Sequence, residues 1–254
     1  MNQSIQNGGK RRISGTAGIS KKGRTMIDSQ YKELKEQICD ICHKMWQLGW
    51  VAANDGNVSV KLDDESFLVT PTGISKSFIT PERLLRIDEN GNVLEGIDGF
   101  RPSSEIKMHL RCYKEREDVG AVLHAHPPVA TGYAVAGKSL DEYSMIETII
   151  ALGSVPVTPY GTPSTYEVPD AIAPYLENHD AVLLQNHGAL VVGADLLTAY
   201  YRMETLELFA KISLNAHLLG GAKEISEENI DRLISMREGY GVTGRHPGYK
   251  KYNK

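Results

Sequence analysis

Two histidines two residues apart close an apolar run in Val119-Gly120-Ala121-Val122-Leu123-His124-Ala125-His126-Pro127. Alternate residues of an extended strand share a face, so the His124 and His126 rings point to the same side and form a bidentate claw. A third histidine, His187, follows the apolar run Val182-Leu183-Leu184-Gln185 in a sharp Asn186-His187-Gly188 turn, where the glycine permits close backbone approach. Three imidazoles from two strand ends suit a tetrahedral Zn²⁺ site with one exchangeable position, and an open position implies catalysis. Any one of these histidines is as readily explained by an ordinary hydrogen bond at a strand end. The pairing and the third ring carry the argument. His43, His109, His179, His217 and His246 stand in helical or terminal settings without a paired neighbour and read as structural, with His179 held in reserve for its place near the second strand.

Pro102-Ser103-Ser104-Glu105 opens a predicted helix. Two hydroxyls beside free backbone N–H groups make a phosphate seat, with Glu105 next to it, although a serine-capped helix with an acidic first turn has the same appearance. Asp55-Gly56-Asn57-Val58-Ser59 and Thr70-Pro71-Thr72-Gly73 each leave a glycine beside hydroxyl or amide groups at a strand end. Either alone reads as a turn; together they suggest an anion pocket.

The elements that must position these residues follow from periodicity. Ile27, Tyr31, Leu34, Ile38, Cys42, Met45 and Leu48 recur at three- and four-residue spacing and predict an amphipathic helix ended by Gly49. Short strands are expected over 57–62, 66–70, 84–87 and 92–94, divided by Asp/Asn/Gly/Pro turns. A helix over 105–116, a buried strand over 119–124, and short helices over 129–136 and 146–152 come next, then strands over 181–185 and 189–192 and helices over 196–219 and 226–237. Strands and helices interleave without the regular repeats of a doubly wound domain, which predicts a three-layer α/β/α sandwich around a mainly antiparallel sheet. The boundaries expected are a mobile basic tail over 1–25, one domain over 26–240 and a C-terminal tail over 241–254.

With 254 residues, 41% of them hydrophobic, and a formal net charge of -4, the chain suits one globular core and a small-molecule ligand. Nucleic-acid binding is not expected from that charge. Neither a membrane span nor a signal-peptide core is present in the sequence, and three cysteines are too few for a disulfide framework, so the expected location is cytoplasmic. Cys39-Asp40-Ile41-Cys42-His43 has haem-attachment spacing but falls inside the first amphipathic helix. Asn57-Val58-Ser59 has the glycosylation pattern without the secretory context it needs.

In chain order, Gly56-Asn57-Val58-Ser59, Thr70-Pro71-Thr72-Gly73, Ser103-Ser104-Glu105, His124-Ala125-His126, Pro159-Tyr160 and Asn186-His187-Gly188 together resemble the class II aldolase/adducin-like family, nearest its fuculose-phosphate aldolase branch. The resemblance covers roughly Ile27 to Leu219. It implies that His124, His126 and His187 hold one Zn²⁺ per subunit, that Glu105 is the acid/base and can approach the metal, and that Asn57, Thr72, Gly73, Ser103 and Ser104 bind the substrate phosphate. It also implies a three-layer fold assembled as a C4 homotetramer with sites at subunit interfaces. The implied reaction cleaves a ketose 1-phosphate, L-fuculose 1-phosphate or a similar deoxy-sugar phosphate, to dihydroxyacetone phosphate and an aldehyde such as L-lactaldehyde. Glu105 favours this over an epimerase of the L-ribulose-5-phosphate type, where the family pattern has aspartate, and intact histidines argue against an adducin-like scaffold. The branch uses a neighbouring subunit's tyrosine after the His-x-His helix; Tyr143 stands in that stretch, and Tyr240, Tyr249 and Tyr252 are C-terminal candidates. The basic tail suggests a packaging partner, such as a bacterial microcompartment.

Overall fold

Hydrophobic residues alternate between the two faces of every central strand, and that alternation builds two cores rather than one. The computed structural model describes residues 21–63 and 65–249. Most of the expected basic tail, and Tyr252, lie outside the described residues. In chain order the elements are α1 (Lys21–Gln47), β1 (Asn57–Lys61), β2 (Phe67–Val69), β3 (Leu85–Ile87), β4 (Val93–Glu95), α2 (Ile106–Glu115), β5 (Ala121–Ala125), α3 (Pro128–Ala136) and α4 (Ile146–Ala151). They continue with β6 (Val157–Thr158), α5 (Glu167–Leu176), β7 (Ala181–Leu184), β8 (Gly188–Gly193), α6 (Leu196–Leu218) and α7 (Glu227–Ser235).

The strands form one eight-stranded sheet in the order β4-β3-β2-β1-β5-β8-β7-β6, antiparallel throughout except for β6 beside β7. Val58, Val60, Leu123, Leu183 and Val191 project to one face, where α1, α3 and α6 cover them with Ile38, Ala130 and Met203 among others. Val122, Val182, Leu190 and Val192 project to the other, under Met108 and Cys112 of α2 and Ile172 and Leu176 of α5. The expected three-layer α/β/α arrangement with a mainly antiparallel sheet is therefore the one observed. Helix α6 is started by Asp195, whose carboxylate accepts from the Thr198 N–H at 2.7 Å.

Two elements were not expected from the sequence. Helix α5 carries Pro169 and Pro174, which mask a clear Val168, Ile172, Leu176 stripe, and β6 is two residues long. Cys39 and Cys42 lie buried in α1 as free thiols, and Asn57 is buried in β1 rather than displayed on a loop. Beyond α7 the chain packs back on the domain: Arg202 and Arg237 donate to the Thr243 carbonyl, and the His246 ring hydrogen-bonds the Ile149 carbonyl at 2.6 Å. Among the described residues no helix is long and apolar enough to cross a membrane.

Candidate metal centre and active site

Strand β5 sits between β1 and β8, and the register fixes who faces whom. His124 pairs across with Asn57 on one side and Leu190 on the other, so the His124 and Asn57 side chains share a sheet face. His126 lies just past the strand, held by its N–H donating to the Trp50 carbonyl at 2.8 Å. The ring of His187 arrives from the β7–β8 turn, whose Asn186 adopts φ 56. Gly188 follows, and a Cβ there would stand 2.5 Å from His126 Cδ2 and 2.6 Å from the Ala125 carbonyl oxygen. Only glycine lets this turn approach so closely.

The expected cluster is assembled: one ring nitrogen from each of His124, His126 and His187 lies within 4.8 Å of the others. His124 Nδ1–H donates to the Ala189 carbonyl at 2.9 Å, which directs Nε2 toward the neighbouring rings. His126 Nδ1 lies 3.5 Å from an Asp55 oxygen. The two Nε2 atoms of His124 and His126 are 3.2 Å apart, close to the spacing of about 3.3 Å for two nitrogens at about 2.05 Å from one tetrahedral zinc. Among the described residues, His187 Nδ1 is buried with no hydrogen-bond partner. The donor set fits a divalent metal.

Burial pushes His124 down to about 3, so the ring is neutral near pH 7 as a metal ligand must be. His126 is lowered too, by burial and then by the proximity of His187.

Glu105 occupies the N-cap position of α2 and reaches into the cluster. Its Oε1 lies 3.1 Å from His187 Nε2 and its Oε2 3.4 Å from His124 Nε2. Asn57 Nδ2 donates to Oε2 at 2.8 Å, and Ser103 Oγ accepts from the Glu105 N–H at 3.3 Å. Burial opposes ionisation of Glu105, but the His187 ring and the Asn57 amide favour the carboxylate and lower the carboxyl below the usual range.

A cavity of about 220 Å³ opens beside this group, lined by Asn57, Thr72, Ser103, Ser104, Glu105, His126 and His187 among others. Gly73 is outside that lining; it follows Thr72 with φ +77, and open space surrounds the position a Cβ would take. The sequence reading missed Ser164, which lines the cavity, adopts φ 69 and donates to Ser104 Oγ at 2.7 Å; Thr162-Pro163-Ser164 was the available turn signal. It also gave Asp55 no role. The remaining histidines are structural: His43, His179, His217 and His246 each bond a backbone carbonyl, and His109 bonds Ser59 Oγ. Tyr143 is buried, donates to the Gly248 carbonyl at 2.6 Å and accepts from the Ser154 N–H. That removes it from the acids available to a substrate.

Residues 36–214 match the model of the Class II Aldolase and Adducin N-terminal domain. The chain belongs to the class II aldolase and adducin family. It is 32% identical over 211 residues to the L-fuculose phosphate aldolase of Escherichia coli strain K12, covering 83% of this chain and 96% of that one. The L-fuculose phosphate aldolase of Methanocaldococcus jannaschii is 33% identical over 180 residues, covering 71% and 95%. A solved L-fuculose 1-phosphate aldolase superposes with a TM-score of 0.75 at 31% identity, over 81% of this chain and 96% of the other. Family and relatives make this class II aldolase a lyase of the metal-dependent kind.

Proposed function

We propose that this class II aldolase is zinc-dependent and cleaves a ketose 1-phosphate, L-fuculose 1-phosphate or a similar deoxy-sugar phosphate, into dihydroxyacetone phosphate and an aldehyde such as L-lactaldehyde. The observation that carries the proposal is a cluster of three histidines and Glu105 beside one cavity that also presents Asn57, Thr72, Ser103 and Ser104. The names of the relatives support the sugar.

His124, His126 and His187 would hold the zinc, which when bound supplies Lewis-acid stabilisation of negative charge on substrate oxygens. The amide of Asn57, the hydroxyls of Thr72, Ser103 and Ser104, and the Gly73 N–H hold the phosphate and so fix C3 and C4 of the sugar. Glu105 moves the proton at C3: the C4 hydroxyl gives up its proton as the C3–C4 bond breaks to form the aldehyde, the Glu105 carboxyl returns one proton to C3, and in the synthetic direction its carboxylate removes the C3 proton while the new C4 oxygen takes one up. Of the C-terminal tyrosines, Tyr240 is exposed and Tyr249 packs on the Tyr143 ring. The same reading makes the enzyme a cytoplasmic C4 homotetramer with one zinc per subunit, in fucose or rhamnose degradation.

The test is release of dihydroxyacetone phosphate from L-fuculose, L-rhamnulose and 5-deoxyribulose 1-phosphates by the zinc-loaded protein. Glu105→Gln should lower kcat by about 10²- to 10⁴-fold with zinc content retained. Epimerisation of L-ribulose 5-phosphate with no cleavage of any ketose 1-phosphate would contradict the proposal, and a full-rate Glu105→Gln would remove Glu105 from its role.

A further inference from the structure

Among the described residues, the cavity proposed to hold a phosphate is lined by two carboxylates, Asp55 and Glu105, and by no lysine or arginine. Hydroxyls and amides can hydrogen-bond a phosphate, but they do not offset that negative charge. Nearby Lys107 is engaged elsewhere, donating to the Ser164 carbonyl at 3.0 Å and lying over the Tyr166 ring.

Lys76 is different. It stands three residues after Gly73, at the start of a 3-10 turn over Lys76–Phe78, which packs against α1. Its side chain is buried, with only 1% of the residue exposed. The ammonium makes one long hydrogen bond, to the Ile74 carbonyl at 3.4 Å, although it has three protons to donate. Burial draws the amine down from its ordinary value, opposed in turn by Cys42, Asp55 and Glu105. The Cys42 thiol is itself pushed up to about 12 by burial, which leaves the two cavity carboxylates as the anions in the electrostatic surroundings of Lys76. A lysine buried without a close counter-ion costs stability that a methionine of similar length would not.

We infer that Lys76 is a specificity-determining residue of the phosphate site: a buried ammonium three residues beyond the Thr72-Gly73 turn that supplies the positive potential the described cavity lining lacks. The inference rests on the phosphate-site reading above. A charge held away from water and salt acts at a longer range than a surface lysine. The lysine therefore favours a dianionic ester over an uncharged sugar without touching it.

The experiment is calorimetric titration of inorganic phosphate into the zinc-loaded full chain as wild type, Lys76→Met, Lys76→Gln and Thr72→Val, with the melting temperature of each. Expected are weakened binding in Thr72→Val and about tenfold weaker binding in both Lys76 variants, with the melting temperature of Lys76→Met equal to or above that of wild type. Phosphate bound by Lys76→Met and Lys76→Gln as tightly as by wild type, with Thr72→Val weakened, overturns the role of Lys76 and leaves the phosphate site standing. No binding to wild type, or unchanged binding in Thr72→Val, overturns both. Affinity falling together with melting temperature in both Lys76 variants makes Lys76 a packing residue and also overturns the inference.

Discussion

His124 donates its Nδ1 proton to the Ala189 carbonyl, and this bond to the adjacent strand decides which nitrogen faces the metal. His109, one helical turn beyond Glu105 on α2, is the contrasting case. It is fully buried, its ring hydrogen-bonds Ser59 Oγ at 2.7 Å, and the same hydroxyl meets Tyr113 at 2.8 Å. Burial pushes His109 down to about 4. A folded-state value below that of the free side chain means the unfolded chain binds the extra proton first, so the contribution is complete above about pH 6.5 and is lost as pH falls toward 4. His109→Gln should therefore flatten the acid side of the stability profile, removing about 2 kcal/mol of the wild-type loss between pH 8 and pH 5. Urea unfolding of both proteins at the two pH values measures this, and parallel profiles would show that His109 is not buried neutral.

At the scale of elements, the β7–β8 turn is where packing and chemistry constrain each other most. Gly188 cannot carry a Cβ without displacing the His126 ring or the Ala125 carbonyl. Gly188→Ala should weaken zinc binding by about 10- to 100-fold, as loss of ligand positioning does elsewhere, while far-ultraviolet circular dichroism stays unchanged. Unaltered zinc affinity would mean that the turn can move away without cost. The same elements show what was legible in the sequence. The β5 claw could be read because His124 and His126 sit two apart at the end of an uninterrupted apolar run, and a strand has only one way to arrange that. Helix α5 could not, because its two prolines are turn signals locally and are overridden here by the burial of Val168, Ile172 and Leu176 against the sheet. The placing of Lys76 was equally hidden, since a lysine between two serines reads as a solvated turn and only tertiary packing against α1 buries it. Asn57 gained its bond to Glu105 from strand register, which is non-local.

Across the whole molecule, the sheet separates function from anchoring. The histidines gather where β5 and β7 end. At the opposite end, where those strands begin, Asp180 is buried between Arg116 at 2.6 Å and Arg202 at 2.7 Å, and Arg202 also holds the Thr243 carbonyl of the C-terminal segment. The order of the sheet, with β1 and β8 flanking β5, brings segments far apart in sequence to one site. The central claim, that His124, His126 and His187 hold a zinc ion needed for aldol cleavage, is tested most directly by stripping the protein with a chelator and titrating zinc back while recording dihydroxyacetone phosphate release. Activity is predicted to be lost on stripping, to return linearly to a break at one zinc per chain, and not to return in His124→Ala. A stripped protein that cleaves ketose 1-phosphates at the untreated rate, or a His124→Ala protein that regains full activity at the same stoichiometry, would contradict it.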